Sequence, residues 1–293
     1  MECEYLDAIS ETIIGIILAL SGAFINNFGV VLQKRQVNIK APPDFSEKKI
    51  GDIGQFLKDP IWILGILMQT IIYLPFLLFA YSFIGITLLQ PLSNAGVIFL
   101  VLGLILMLNE RLKTKFEYFG IGILIFGVIS IALGGVVGKI TIDIFMASLQ
   151  NFWFLFSIIL SLSFISLLMI IKNKARFIFF GFFIGNMYSI VSISLQWLQL
   201  GLDEMTHTMG LLLLILGILG AVLGTVFGIL GAQEAYKRGQ AINIVPYAQI
   251  TMNLFPIFAG LFVFQQTITN LIFFWIGVIS IMAGASMLTR FEG

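Results

Sequence analysis

Uncharged polar side chains cluster around a proline in two long apolar segments, and these residues are the first candidates for chemistry. Each proline removes one backbone hydrogen bond and frees the carbonyl four positions earlier. In a membrane such an interruption persists where protein or a water-lined cavity satisfies the freed groups, and two interrupted segments at corresponding places indicate a transporter's binding site. The residues are Gln90, Pro91, Ser93 and Asn94 in the first segment, and Asn243, Pro246 and Gln249 in the second.

Other apolar stretches also carry amides and hydroxyls, whereas no charged residue falls at the middle of any predicted span. Because a charge at the bilayer centre costs at least about 2.5 kcal/mol, substrate selection should depend on amides, hydroxyls and backbone groups. Isolated polar residues join helices, at about 0.6 kcal/mol each, more often than they touch a solute. The further candidates for the substrate pathway are Asn26, Asn27, Gln69, Asn186, Tyr188, Gln196, Thr251 and Asn253.

Glu234 is the acidic residue with two interpretations. It precedes Lys237 and Arg238 by three and four residues, which is the spacing of an ion pair on a helix surface. The functional alternative is a carboxylate at the inner mouth that couples transport to protons or attracts cations. The sequence favours the ion pair and leaves the coupling role open.

The composition excludes several classes of protein. The chain is 59% hydrophobic and 11% charged, against about 25% charged residues in soluble domains. Its 16 basic and 15 acidic residues form no basic cluster for nucleic acid. One cysteine and one histidine provide neither an internal disulfide nor a metal site. We expect that the protein binds no cofactor and is not an enzyme, because the spans lack the His, Asp or Glu cluster that acid–base catalysis needs.

About 20 apolar residues cross the hydrocarbon core as a helix, and on that basis the chain is predicted to be an all-α protein with nine spans. Apart from Lys139, every Lys and Arg falls in connections on one side. Since cytoplasmic connections are enriched in these residues, we expect a multi-pass protein of the cell membrane with its N-terminus outside and its C-terminus in the cytoplasm. The predicted spans are 9–32, 61–81, 84–108, 116–137, 152–171, 177–200, 210–233, 241–264 and 268–289.

Two parts of the chain, 9–137 and 176–293, are predicted to be repeat units of one membrane domain, joined by 138–175. One constant offset places Pro91 on Pro246, and the same offset places Gly122 on Gly277. Glu110-Arg111 falls on Gln265-Gln266. An odd number of spans separates the starts of the two units, so the units should have opposite topology, as in many secondary transporters.

The run from Pro91 through Glu110-Arg111-Leu112 to Gly120, Gly122 and Gly127 resembles the closing half of the repeat in the drug/metabolite transporter superfamily, also called EamA-like. That resemblance implies two inverted units, usually of five spans each, so this chain looks one helix short at its start. Nine spans, the segment from Trp62 to Tyr81 and the run Gln33-Lys34-Arg35 are similar to the NIPA-type magnesium transporter branch. Pro91-Leu92-Ser93-Asn94-Ala95-Gly96 departs from that branch's Pro-Leu-Gly-Ala-Leu-Ser.

The sequence therefore predicts a transporter that works by alternating access in the lipid bilayer. The uncharged interior favours a small neutral or zwitterionic metabolite, with the aromatic residues Tyr73, Tyr188 and Trp197 available to line its path. The resemblance implies magnesium as the alternative substrate, although magnesium usually binds one or two carboxylates and keeps its waters. A non-transporting assembly subunit is a third class, and the sequence leaves a homodimer open.

Overall fold

The computed structural model describes residues 2–40, 58–108, 115–138, 140–172, 177–238 and 244–288, with only the backbone given for 2–9, 37, 38, 40, 233, 236–238, 245 and 246. This part of the chain is almost entirely helical. It contains seven helices that are long and apolar enough to cross a membrane, together with a shorter apolar helix, Tyr247–Val263. The protein is thus an all-α polytopic membrane protein by the length and composition of its helices.

The elements are numbered in chain order. The helices are α1 (Glu2–Lys40), α2 (Pro60–Leu67), α3 (Tyr73–Ala95), α4 (Val97–Leu108), α5 (Lys115–Gly134), α6 (Ile142–Ala147), α7 (Leu149–Ile171), α8 (Phe177–Asp203), α9 (Thr208–Arg238), α10 (Val245–Phe258) and α11 (Leu271–Leu288). A π-helical turn, Met68–Ile72, joins α2 to α3, and a second, Ala259–Val263, follows α10. Two short strands, β1 (Val136–Val137) and β2 (Thr267–Ile268), pair antiparallel.

The candidate span Pro60–Leu108 is 49 residues long, and at about 1.5 Å per residue it is more than twice as long as the hydrocarbon core is thick. It folds back at Gly85, which has φ 60° and ψ −178°. Before that residue the stretch runs antiparallel to α1, because Gly65 packs on Gly29 near one end of α1 and Ile84 on Gly15 near the other. Residues 86–108 return parallel to α1, and we call the two parts the first arm (60–84) and the second arm (86–108).

The two prolines do not break the helices where the sequence predicted. Pro91 lies inside the helical second arm, and the non-helical residue is Gly85, where a positive φ suits glycine. Pro246 occupies the first turn of α10, where its missing N–H would have no helical partner in any case. α10 also contains Pro256, and the π-helical turn Ala259–Val263 follows it directly. In the two proline-containing segments, the irregular points are therefore the bend at Gly85 and the π-helical turn Ala259–Val263.

The two arms together form a helical hairpin. We call α1, the two arms and α5 the first set, and α8 to α11 the second set. The first three helices of the second set have the same relative directions as α1 and the two arms. α9 runs antiparallel to α8, since Gly217 packs on Leu198 and Gly231 on Phe183. α10 runs parallel to α8, with Tyr247 beside Gly181. In the same way, α1 has the antiparallel first arm and the parallel second arm as neighbours.

α5 and α11 close the two sets against each other and run antiparallel. Gly120 lies against Gly284, and Gly127 lies against Gly277, so exchanging the helices leaves the contacts equivalent. Gly122, which the constant offset aligned with Gly277, faces open space. The packing equivalent of Gly277 is therefore Gly120, and the alignment of Gly122 is corrected by about half a turn of helix.

α8 is the most enclosed of these helices. In its most apolar stretch of 18 residues, 67% of the residues are buried inside the protein, against 22% for the corresponding stretch of α7 and 22% for that of α9. α7 and α9 therefore lie at the periphery, where their apolar side chains can face lipid. α8 contacts the second arm and α10 and forms one wall of the interior.

Candidate functional site

A cavity of about 420 Å³ lies where the helices of the two sets meet. α1 and both arms form one side, and α8, α9 and α10 form the other. Every residue that lines it is uncharged. The lining consists of Gly22, Ala23, Asn26, Asn27, Tyr73, Leu77, Tyr81, Gln90, Ser93, Asn94, Val97, Tyr188, Val191, Ser192, Leu195, Thr225, Gln249 and Met252.

Seven of the candidates predicted for the substrate pathway line this cavity, as does Tyr73; the seven are Asn26, Asn27, Gln90, Ser93, Asn94, Tyr188 and Gln249. They come from four helices that are far apart in the sequence, so only the packing of the two sets brings them together. Their role in transport stays a prediction.

A chain of amides beside the cavity joins the two sets. Asn94 Nδ2 donates to Asn253 Oδ1 at 2.7 Å. Asn253 is fully buried, and its Nδ2 donates to Gln249 Oε1 at 3.2 Å and to the Gln249 carbonyl at 2.8 Å. Because Asn94 and Gln249 also face the cavity, this chain can exchange its hydrogen bonds with a solute that carries both donors and acceptors.

A second polar link joins both arms to α8. Ser192 Oγ donates to Gln90 Oε1 at 2.6 Å, and the Tyr81 hydroxyl donates to the Ser192 carbonyl at 3.2 Å. Tyr81, Gln90 and Ser192 are all buried. The bonds therefore form in a low-dielectric interior, where a hydrogen bond is electrostatically stronger than in water.

Six other predicted pathway residues lie outside the cavity lining, as does Trp197; the six are Gln69, Pro91, Asn186, Gln196, Thr251 and Asn253. Asn186 is fully buried and faces α7, where its Nδ2 donates to Ser163 Oγ at 3.1 Å and lies 3.4 Å from the Ile159 carbonyl. Gln69 is half-buried in the π-helical turn beside Gly29 of α1. Pro91 is buried among the apolar residues of the second arm. For Asn186 this geometry corresponds to helix joining rather than solute contact.

The remaining predictions fall at the edge of what the structure describes. Asn243 lies outside the described residues, as does the side chain of Pro246. Glu234 is half-buried near the end of α9, whereas the side chains of Lys237 and Arg238 are not described. The ion pair and the coupling role of Glu234 both stay predictions.

Sequence reasoning missed Tyr81, Ser192 and Thr225 as lining residues. Serine and threonine in membrane helices commonly bond to their own backbone, so an isolated one carries little signal. Ser192 does belong to a polar series on α8 at spacings of three and four, and that series would have identified it. For Tyr81 and Thr225 no comparable pattern exists in the sequence.

Hydrogen bonds from Gln266 connect the segment after α10 to the bend at Gly85 in the hairpin. Its Oε1 accepts hydrogen bonds from Thr87 N at 3.2 Å and from Thr87 Oγ1 at 2.8 Å, and its Nε2 donates to the Ile84 carbonyl at 3.3 Å. The neighbouring Gln265 donates to Ser148 Oγ at 2.6 Å. Gln266 thus supplies partners for backbone groups that leave the helical pattern around Gly85.

Fold and site together define a polytopic helical membrane protein with a polar, uncharged cavity between two sets of helices. Within the described residues, no group of three or more His, Cys, Asp or Glu side chains is placed to hold a metal ion. No protein-family model matches the chain, and neither the curated proteins nor the solved structures include a match.

Proposed function

We propose that this protein is an integral membrane transporter that moves a small polar metabolite by alternating access. The observation that carries the proposal is the cavity of about 420 Å³ at the junction of the two sets of helices. Its lining combines amide and hydroxyl groups with the rings of Tyr73, Tyr81 and Tyr188. Small-molecule sites are typically cavities of about 300–1,000 Å³ with a few convergent polar groups on an apolar wall.

The arrangement of the helices supports an inverted repeat of the kind found in the drug/metabolite transporter superfamily. α1, the two arms and α5 form one unit, and α8 to α11 form the other. In each unit, the second helix runs antiparallel to the first, and the third helix runs parallel to the first. Counting the two arms separately and including the helix of 247–263 gives the nine crossings that the sequence predicts. With the N-terminus outside, the units have opposite topologies.

The chemistry of the lining supports a neutral or zwitterionic solute. Asparagine and glutamine each offer a carbonyl acceptor and an amide donor, so they match solutes with hydroxyl, amide or paired charged groups. A divalent cation would be better served by carboxylate oxygens, which the lining does not supply. Magnesium transport of the NIPA type is therefore an outcome of the test and not a second proposal.

Uptake into liposomes tests the proposal. The purified protein is reconstituted, and entry of amino acids, polyols, nucleosides and magnesium is measured against protein-free liposomes. We expect saturable uptake of at least one neutral or zwitterionic solute. Uptake of magnesium alone would support the alternative, and a folded protein that moves none of the panel would support a non-transporting subunit.

Paired variants connect the uptake to the cavity. Asn94→Ala removes a half-buried amide from the lining, and we expect at least a tenfold loss in kcat/KM, because ~1.4 kcal/mol of lost transition-state binding corresponds to tenfold. Phe273→Ala, on the outer surface of α11 where 43% of the side chain is exposed, should leave uptake within about twofold. Equal losses in the two variants would separate transport from the cavity.

A further inference from the structure

A series of polar residues follows one face of α8 from the cavity to the end of the helix. Successive members are three or four residues apart, which places them on the same side of a helix. The series is Ser189, Ser192, Gln196, Gln199 and Asp203. Ser192 lines the cavity, and Asp203 ends α8 at the connection to α9, which the charge distribution assigns to the outside. We call these five residues the α8 polar face.

The first arm covers this face beyond the cavity. Gln199 Nε2 donates to Ser82 Oγ, and Tyr81 and Gln90 contact Ser192 as described above. Gln196 and Gln199 are only 1% and 5% exposed. The cavity is therefore closed in this direction by hydrogen bonds between α8 and residues 81–90.

A second polar cavity, of about 300 Å³, begins on the other side of this closure. Its lining includes Ser82, together with Glu11, Thr12 and Gln266. Ser82 thus separates Gln199 from a space at the outer end of the molecule. The two cavities and the α8 polar face between them form a continuous series of polar groups through an otherwise apolar interior.

The bonds that close this series have substitutes on α8 itself. Gln199 Nε2 donates to Asp203 Oδ1 at 2.9 Å as well as to Ser82. Ser192 Oγ lies 3.1 Å from the Tyr188 carbonyl as well as bonding to Gln90. Both donors therefore keep a partner when residues 81–90 move away. The bonds of Asn186 differ, since both of its partners, Ser163 and the Ile159 carbonyl, lie on α7.

Gln196 adds an independent observation. It is almost completely buried, yet its Oε1 has no hydrogen-bond partner within the described part of the protein. An acceptor left unpaired in an apolar interior is unfavourable and uncommon. Asn186 Oδ1 is unpaired in the same way within the described residues, so an unpaired acceptor does not by itself mark a solute contact. Gln196 differs because it lies on the α8 polar face, where water or a polar solute would pair its Oε1 once the face opened.

We propose that the α8 polar face is the outer half of the solute pathway, with Ser82 and Gln199 as its closure and Gln196 as a solute-contacting residue. This inference depends on the proposed transport function. Separation of residues 81–90, the end of the first arm and the start of the second, from α8 breaks the bonds to Ser82 and Gln90, leaves Gln199 and Ser192 with partners on their own helix, and joins the two cavities. The structure is accordingly the outward-closed state.

Cross-linking tests the closure. In a Cys3→Ser background, the pair Ser82→Cys and Gln199→Cys is linked by a short thiol-specific reagent that a reductant can cleave. We expect a cross-link that lowers solute uptake at least tenfold, with recovery after reduction. The matched control is the pair Ser148→Cys and Gln265→Cys, which replaces another Gln–Ser hydrogen bond and should cross-link without loss of uptake. Full uptake in the linked Ser82–Gln199 protein would overturn the pathway while transport itself stood.

Chemical labelling tests the opening without measuring transport. Gln196→Cys, in the same background, is treated from the outside with a membrane-impermeant thiol reagent. We expect labelling that falls at least fivefold when Ser82 and Gln199 are cross-linked. Met205→Cys, exposed in the α8–α9 connection, should label in every state, and Asn186→Cys should label in none.

The two readouts fail in different ways. Gln196→Cys that resists the reagent while liposomes accumulate solute overturns the outer pathway and leaves the transport function. Labelling that responds to the cross-link in a protein that moves no solute overturns the transport function, and with it the assignment of the face as a solute pathway.

Discussion

Gln266 should be worth more to the stability of this protein than any other polar side chain near the fold in the hairpin. The side chain is 4% exposed and makes three hydrogen bonds, two with Thr87 and one with the Ile84 carbonyl. Gln266→Leu keeps most of the volume and removes all three bonds. A net value of about 1 kcal/mol per hydrogen bond in proteins, and about 0.6 kcal/mol in membrane helices, predicts a loss of about 2–3 kcal/mol.

The neighbouring glutamine is the control. Gln265 is exposed and makes one side-chain hydrogen bond, to Ser148 Oγ, so Gln265→Leu should cost about 1 kcal/mol or less. Reversible unfolding in mixed micelles with increasing dodecyl sulfate, followed by tryptophan fluorescence, measures both free energies of unfolding. Equal losses in the two variants, or a stability of Gln266→Leu within 0.5 kcal/mol of the parent, about half of one net bond, would refute the role of Gln266 at the fold.

Two further outcomes follow from the packing. Gly85→Ala should prevent accumulation of folded protein, because Gly85 has φ 60° and a Cβ there would collide with the Gln266 side chain. Gly122→Ala is the control in the same expression and thermal-stability assay. It should be neutral, because a Cβ there meets nothing within 4 Å. Asn186→Ala should lower stability by about 1 kcal/mol and leave the KM for solute unchanged, since its side chain bonds to α7; a raised KM with unchanged stability would place Asn186 in the pathway.

The sequence determined the class of fold because hydropathy is a local property. Runs of about 20 apolar residues can satisfy their backbone groups in a membrane only as helices or closed barrels, and the seven long apolar helices follow from that. The uncharged character of the interior was equally visible, since no charged residue falls at the middle of a predicted span.

The position of the irregular backbone was decided by tertiary structure. Proline signals a missing hydrogen bond, but its effect depends on where the helix begins. Pro246 falls in the first turn of α10, where nothing is lost, and Pro91 is accommodated within the second arm. The chain bends at Gly85 because the positive φ there is stabilised by Gln266, which is far away in the sequence. Pro-based reasoning could find the right segments but not the right residues.

The fate of each polar residue was also decided by its neighbours. Asn94 and Asn186 are the same residue type in comparable apolar helices, yet Asn94 faces the cavity and Asn186 joins α8 to α7. Glycines show the same dependence. Gly15, Gly22 and Gly29 recur every seven residues and all pack on the first arm, a regularity that the sequence contained and that antiparallel packing explains.

By itself, the sequence determined that this is a helical membrane protein and that the apolar segments around Pro91 and Pro246 carry uncharged amides, among them Gln90, Asn94 and Gln249. The tertiary structure alone decided that the chain folds at Gly85 and which amides face the cavity. It also decided that the polar face of α8 is covered by residues 81–90. The physical reason is that hydropathy acts through composition over a whole span, whereas a hydrogen bond or a close approach at glycine needs a particular partner at a particular distance.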